Sequence, residues 1–310
     1  MSDADLALLP IFLPLIGAAF ALIAKAWDSK LSLSLEYIGA ASVLLRPSLS
    51  WPFSWIAVRS GGLSFIVGSR GNLLGIEQRF DAITWLMDLL GFTGAAFAWL
   101  YSRGTKTKGP LFTMLFLLQT AALAATASCA DLFNLFVCLE LLGMASYALT
   151  ASSEKGAAFL ASFSYLAISS MAMCFFLFGV FGFYQLTGSL SYTAISAALS
   201  SLGGEAALPA ALSLACLVAA TAVRVAVLPV YGWLPDAHAM APHAVSAVLS
   251  GVLIKTPLFA LGRLLDIVAK AGGFSAQLAE KSIMLLGIAG SLTALSAVLV
   301  ALWSKDAGRL

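Results

Sequence analysis

Apolar runs of about twenty residues follow one another along almost the whole chain, separated by short polar segments. A helix of about twenty apolar residues crosses the hydrocarbon of a bilayer, so each run has transmembrane length. The pattern predicts spans at about Leu6–Ala24, Leu33–Trp51, Ala82–Tyr101, Leu111–Ser128, Leu132–Thr150, Ala157–Leu186, Leu208–Trp233, Val245–Asp266 and Ser282–Trp303. The short alternating segments of a membrane β-barrel are not seen. The expected architecture is an all-α polytopic transmembrane bundle of about nine spans, forming one membrane domain over residues 1–310. The second span is the least regular, because Glu36 and Arg46 lie in or near it.

Two segments refine this picture. The N-terminal flank carries Asp3 and Asp5 where a signal peptide has basic residues, so the first run reads as a retained helix. In residues 52–80, Ile56-Ala57-Val58 and Leu63–Val67 lie either side of Ser60-Gly61-Gly62, which predicts a small β-hairpin on the outer face.

Composition agrees with a membrane domain. Of 310 residues, 61% are hydrophobic and 10% charged, with a mean hydropathy of +0.96. Soluble domains carry about 25% charged residues, so this chain cannot clothe a water-facing surface, and the lipid bilayer is its first partner. A formal net charge of +2 signals no further partner, and nucleic acid is not expected. With the N-terminus outside, inside loops collect eight Lys and Arg (Lys25, Lys30, Arg103, Lys106, Lys108, Lys155, Lys305, Arg309) and outside segments six (Arg46, Arg59, Arg70, Arg79, Lys270, Lys281). The bias favours that orientation, with Arg103–Lys108 as the most basic cytoplasmic loop. Cys129, Cys138, Cys174 and Cys216 lie in apolar runs without C-x-x-C spacing, which reads as packing rather than a zinc or iron–sulfur site. A P-loop and a dinucleotide fingerprint are both lacking, which argues against ATP-driven transport and direct NADH binding. No cofactor and no metal are expected.

The chemistry concentrates where charges enter apolar runs. In Ala219–Arg263, Arg224 and Lys255 sit inside helical runs, Pro229 interrupts the first run, and Pro235-Asp236-Ala237-His238 reads as a polar turn joining the two. A charge at the centre of a membrane helix costs about 2.5–3.5 kcal/mol on insertion scales, so such residues mark ion paths or buried pairs. Glu140 lies mid-way along the fifth span and has both readings open: a proton carrier, or a structural ion pair that fixes packing. Lys255 lies too deep to reach an interface by snorkelling, and a desolvated lysine can release its proton. Arginine keeps its proton, so Arg224 can set a field but cannot relay. Pro229 breaks or kinks the seventh span, as a polar path or as an ordinary packing kink. Asp236 and His238 stand at a candidate cytoplasmic mouth. His238 and His243 read as surface or capping groups, with proton uptake as the alternative, since too few ligands surround them for a metal. Asp88 is an acid inside the third span. Asp81 and Asp131 stand at span starts, where helix dipoles favour acids.

At Trp233-Leu234-Pro235-Asp236-Ala237-His238, with Ala241-Pro242, Val245-Ser246-Ala247 and Ser250–Thr256, the chain resembles the antiporter-like membrane subunits of respiratory complex I (NADH-quinone oxidoreductase). Mrp cation/proton antiporters and membrane-bound energy-converting hydrogenases share that family, and the Ser250–Thr256 wording is most similar to the hydrogenase branch. Asp131-Leu132-Phe133 through Glu140 resembles the family's fifth span. The resemblance implies that Glu140 is the family's fifth-span glutamate and Lys255 its eighth-span lysine, with the seventh helix broken at Pro229. Arg224 stands where the family has a lysine, a departure that removes easy deprotonation. Relatives are built from about fourteen helices as two inverted five-helix repeats. Here the first repeat falls at about 111–268, and the second is expected to be largely missing. The implied function is translocation of protons, or sodium ions, within a multisubunit redox complex in a bacterial or archaeal inner membrane. Its partners are the other membrane subunits of that complex; electron transfer takes place elsewhere in the complex, so no redox active site is expected in this chain. A non-pumping structural subunit and an Mrp-type antiporter subunit are the alternatives.

Overall fold

The computed structural model describes residues 3–26, 30–45, 62–68, 76–105, 108–153 and 155–303. Among them the chain is a polytopic all-α bundle, with eight helical stretches long and apolar enough to cross a membrane. The first pair is α1 (Asp3–Ala26) and α2 (Lys30–Leu44). They cross at Gly17 and Gly39, where a Cβ on either glycine would lie 2.5 Å from the other's carbonyl oxygen. Small residues at such crossings let membrane helices approach closely. Helix α2 has 15 residues, fewer than a straight span needs, and the rest of the expected second span, to Trp51, lies largely outside the described residues.

The expected hairpin exists with a different partner. Strand β1 (Leu63–Val67) pairs antiparallel with β2 (Ile76–Phe80), from Leu63 opposite Phe80 to Val67 opposite Ile76. The expected partner Ile56-Ala57-Val58 and the expected turn residues Ser60 and Gly61 lie outside the described residues. The reason is burial: β2 turns Gln78 and Phe80 onto the bundle, and Ser128 donates to the Gln78 side-chain oxygen at 2.7 Å. A strand pairs where one face can be covered.

Next come α3 (Ala82–Arg103), α4 (Pro110–Ser128), α5 (Leu132–Ala151) and α6 (Gly156–Thr187), each within a few residues of its expected bounds. The carboxylates of Asp81 and Asp131 accept from the Thr84 and Asn134 backbone N–H at 3.0 and 2.8 Å, capping α3 and α5. A short helix, α7 (Tyr192–Ser201), precedes α8 (Ala207–Arg224). Helix α8 lies close along α6, since a Cβ at Gly179 or Gly182 would collide with Leu217 or Ser213.

The interruption expected at Pro229 begins earlier. Helix α8 ends at Arg224, Ala226 adopts a left-handed φ of 59°, and the chain resumes as α9 (Trp233–Met240). Pro229 thus lies within the connection, and the Leu228–Pro229 peptide is cis. Pro235-Asp236-Ala237-His238 is helix rather than a joining turn. Pro235 occupies the third helical position, where the missing N–H would have had no intrahelical acceptor. The real joint is Ala241-Pro242, before α10 (His243–Val248). A π-helical turn (Leu249–Leu253) then leads into α11 (Lys255–Lys270), and α12 runs over Gly273–Trp303, starting well before Ser282.

Two hydrophobic cores result. One gathers Phe92, Trp99, Phe116, Leu123, Trp233 and Leu249 from α3, α4, α9 and the π turn. The other gathers Leu139, Phe176, Phe183, Ile195, Leu217 and Leu261 from α5 to α8 and α11. The inner end of α8 lies at their boundary.

Candidate functional site

On α5, Glu140 shares a helix face with Gly143 and Tyr147, and that face meets the end of α8. Arg224 Nη1 stands 3.6 Å from Glu140 Oε1, and its Nη2 donates to the Leu139 carbonyl at 2.8 Å. Arg224 is 7% exposed, while the Glu140 side chain is 28% exposed, so the cation is the more deeply buried member. Its place as the last residue of α8 is favourable, because the unpaired carbonyls of a helix C-terminus attract a positive charge. Gly143 leaves room for the guanidinium: a Cβ there would lie 2.5 Å from Tyr147 Oη and 3.1 Å from Arg224 Nη2. At 3.6 Å the Glu140–Arg224 contact is an ion pair rather than a hydrogen bond, and the Tyr147 hydroxyl lies against Arg224 and Ser169.

Aromatic rings brace this point. Tyr147 meets Tyr165 edge-on at 4.6 Å between centroids, and Tyr165 stacks on Trp233 at 4.1 Å. The Trp233 indole N–H donates to the Val223 carbonyl at 3.2 Å, next to Arg224. One string of rings therefore ties α5, α6 and α9 to the broken end of α8. A second polar pair links α4 to α5, where Gln119 donates its amide to Ser146 Oγ at 2.9 Å.

Lys255 is placed differently. It opens α11 at mid-length of the stretch His243–Lys270, yet its side chain is exposed on the surface of the described bundle. The π turn moves the Ile254 N–H to the Leu249 carbonyl at 3.3 Å, which frees the Ser250 carbonyl, and Lys255 Nζ donates to that oxygen. The fold therefore brings Glu140 to Arg224 and not to Lys255, and among the described ion pairs Lys255 meets no carboxylate.

Asp236 and His238 lie on α9, both half-buried. His238 Nδ1 is 2.8 Å from Ser246 Oγ, and burial holds its imidazole below the usual histidine range. His243 is exposed. Ser153 donates to the Met240 carbonyl at 2.9 Å, so this end of α9 sits beside the α5–α6 connection, on the side that the charge bias assigns to the cytoplasm.

Two ion pairs were not foreseeable from the sequence. At the outer end, Arg263 donates to the Ala127 carbonyl at 2.9 Å, to Thr84 Oγ1 at 2.7 Å and to the Asp81 carboxylate. Burial pushes the Asp81 carboxyl up most strongly, but Arg263, Thr84 and Arg79 together leave it below the ordinary aspartate value. Arg79, Asp81 and Arg263 line a cavity of about 410 Å³ with Cys129, Tyr192 and Phe259. At the inner end, Glu36, 1% exposed, accepts from Arg103 and from Thr113 Oγ1 at 2.6 Å. Their partners lie far apart in sequence, so no local pattern announced them. Cys129 and Cys138 are free thiols with sulfurs 3.6 Å apart. Among the described residues, no group of three or more His, Cys, Asp or Glu could hold a metal.

Known proteins resemble this chain in sequence and in fold. The family described as NADH:quinone oxidoreductase/Mrp antiporter, TM, matches residues 129–307, more than half of the chain. NADH-quinone oxidoreductase subunit N of Desulforudis audaxviator is 36% identical over 64% of this chain and 40% of its own length. A probable K(+)/H(+) antiporter subunit of Rhizobium meliloti is 30% identical over 98% of this chain and 57% of its own. Among solved structures, a chain of the archaeal membrane-bound sulfane sulfur reductase superposes with a TM-score of 0.85 at 27% identity, covering 99% of this chain and 61% of that one. The chain thus spans about half the length of the relatives it matches. It is an integral membrane protein and belongs to the NADH:quinone oxidoreductase/Mrp antiporter transmembrane family.

Proposed function

We propose that the chain is an ion-translocating membrane subunit of a multisubunit redox complex in a prokaryotic inner membrane, moving protons, with sodium as the alternative ion. The observation that carries this reading is the Glu140–Arg224 pair at the interrupted end of α8, its cation buried and its carboxylate half-buried, since charges within membrane helices persist where they serve an ion path. The family and its bacterial and archaeal relatives support the setting. In this reading Glu140 takes and gives up the proton, Arg224 holds a fixed positive charge, and Lys255 is the second titrating group. Protonating Glu140 removes the negative half of the pair and leaves Arg224 uncompensated. The surplus positive charge then disfavours a second cation nearby, which links loading at one site to release at the next. Electron transfer belongs to other subunits of the assembly.

The test is the native complex reconstituted in liposomes, with proton uptake measured against electron turnover. Glu140→Gln and Lys255→Ala should each reduce translocation sharply. Translocation at the wild-type rate in both variants would rule the reading out. Arg224 favours a second reading, a non-pumping subunit that docks its neighbours. Arg224→Lys separates the two: a gain in translocation indicates a degenerate path, and a loss indicates a tuned one. The likeness to the Rhizobium meliloti antiporter protein supports a third setting, a cation/proton antiporter assembly, which potassium or sodium exchange without redox substrate would identify.

A further inference from the structure

The sulfurs of Cys129 and Cys138 lie 3.6 Å apart, in side chains that are both buried. The junction of α4 and α5 explains the meeting. Cys129 is the C-cap of α4, with a non-helical φ of −57° and ψ of 133°, and Asp131 caps α5 two residues later. Asn134 and Cys138 then fall one turn apart on the face of α5 that looks back at Cys129. The Asn134 side-chain amide lies between the sulfurs. Its N–H donates to Cys129 Sγ at 3.1 Å, and its oxygen is 3.7 Å from Cys138 Sγ. An N–H aimed at a sulfur stabilises the negative charge that the sulfur carries when it attacks. Cys129 also lines the cavity of about 410 Å³ and Cys138 does not, so a small molecule in the cavity meets the pair at Cys129.

We propose that Cys129 and Cys138 are a redox-active dithiol, oxidised to an intrachain disulfide by a small organic disulfide that enters through this cavity. The inference does not depend on the ion path. The Cys129 sulfur attacks the organic disulfide and forms a mixed disulfide, and one half of the reagent leaves as a thiol with the Cys129 proton. The Cys138 sulfur then attacks the Cys129 sulfur, and the second half leaves as a thiol with the Cys138 proton. Two electrons pass from the pair to the reagent, and the bond gained by the protein joins Cys129 to Cys138. A disulfide measures about 2.05 Å, so the sulfurs close by about 1.5 Å, a movement that falls on the non-helical backbone at Cys129. The product staples the end of α4 to the second turn of α5. The charge bias assigns this end of the bundle to the outside, where disulfides form and persist in bacteria.

The test uses the native complex, reduced and freed of reductant, then treated with bis(hydroxyethyl) disulfide. It is next denatured, alkylated with N-ethylmaleimide and cut with trypsin. Residues 109–154 contain no Lys or Arg, so both cysteines fall on one peptide ending at Lys155. That peptide should be lighter by two hydrogens and free of alkylation, and a second reduction before alkylation should return two alkylated thiols. Cys138→Ser should stop at the mixed disulfide on Cys129. Cys129→Ser should leave Cys138 untouched by the reagent and open to alkylation after denaturation. Two alkylated thiols in the treated wild-type peptide overturn the proposal, and so does a mixed disulfide that persists on wild-type Cys129. Reagent attached to Cys138 in Cys129→Ser overturns the entry through Cys129.

Discussion

Arg263, near the outer end of α11, clasps the carboxylate of Asp81, which caps the first turn of α3. The same guanidinium takes the Ala127 carbonyl at the end of α4. Helix α11 is thereby fixed to the distant pair α3 and α4 at one edge of the bundle. Removing one partner of a largely buried pair leaves the other charge stranded, at about 3–5 kcal/mol. Arg263→Met should therefore lower the thermal midpoint of the purified protein, and Asp81→Asn with Arg263→Met should lower it by less than the two losses summed.

Acid should weaken the same clasp. The folded Asp81 carboxyl lies below the ordinary value of 3.8, so the unfolded chain binds its proton first as pH falls. The contribution is complete above 3.8 and is lost as pH drops through the folded value. Melting curves in detergent should show a steeper acid loss for the native chain than for Asp81→Asn.

His238 predicts a second slope at milder pH. Burial disfavours the imidazolium, so the folded group lies below 6.5 and the unfolded chain gains the proton first. Stability contributed by neutral His238 is present above 6.5 and declines as pH falls below it. His238→Gln should flatten that part of the melting profile.

Gly143 should not tolerate a side chain. A Cβ 2.5 Å from Tyr147 Oη must displace the phenol or the Arg224 fork, and crowding of this kind costs about 1–3 kcal/mol. Gly143→Ala should lower the melting temperature and reduce translocation. Arg224→Lys should relieve part of both effects, since an ammonium occupies less of that space.

Lys255 should separate stability from function. Its exposed side chain meets the Ser250 carbonyl and no carboxylate among the described ion pairs, so Lys255→Ala should change stability by less than about 1 kcal/mol. Translocation should nevertheless fall. Parallel melting and liposome measurements check the pair of outcomes.

Length and hydropathy made the membrane helices legible, and α3 through α6 fall close to the bounds those signals set. The broken helix was legible in kind but not in place. Proline was the visible signal, yet the helix stops at Arg224, before Pro229, and starts again with Pro235 already inside its first turn. Strand β2 was missed because its reason to pair lies in what Gln78 meets on α4. Glu140 and Arg224 were each legible as buried charges, while their meeting depends on how α5 packs against α8. Tyr147 carried no signal in the sequence, since only the fold brings its hydroxyl to Arg224. Arg263 finds Asp81 across 182 residues, a distance over which periodicity carries no information.

The π turn before Lys255 sets the phase of everything that follows it. Each residue of an α-helix advances about 100° around the axis, and a π turn accommodates one residue more than an α turn would. Lys255 and Arg263 occupy the same helix, one at the freed Ser250 carbonyl and the other at Asp81. A single inserted or deleted residue between them would rotate Arg263 off Asp81 by more than a quarter of a circle. The spacing of the chain from Leu249 to Arg263 is therefore constrained as tightly as the identity of the residues at its two ends.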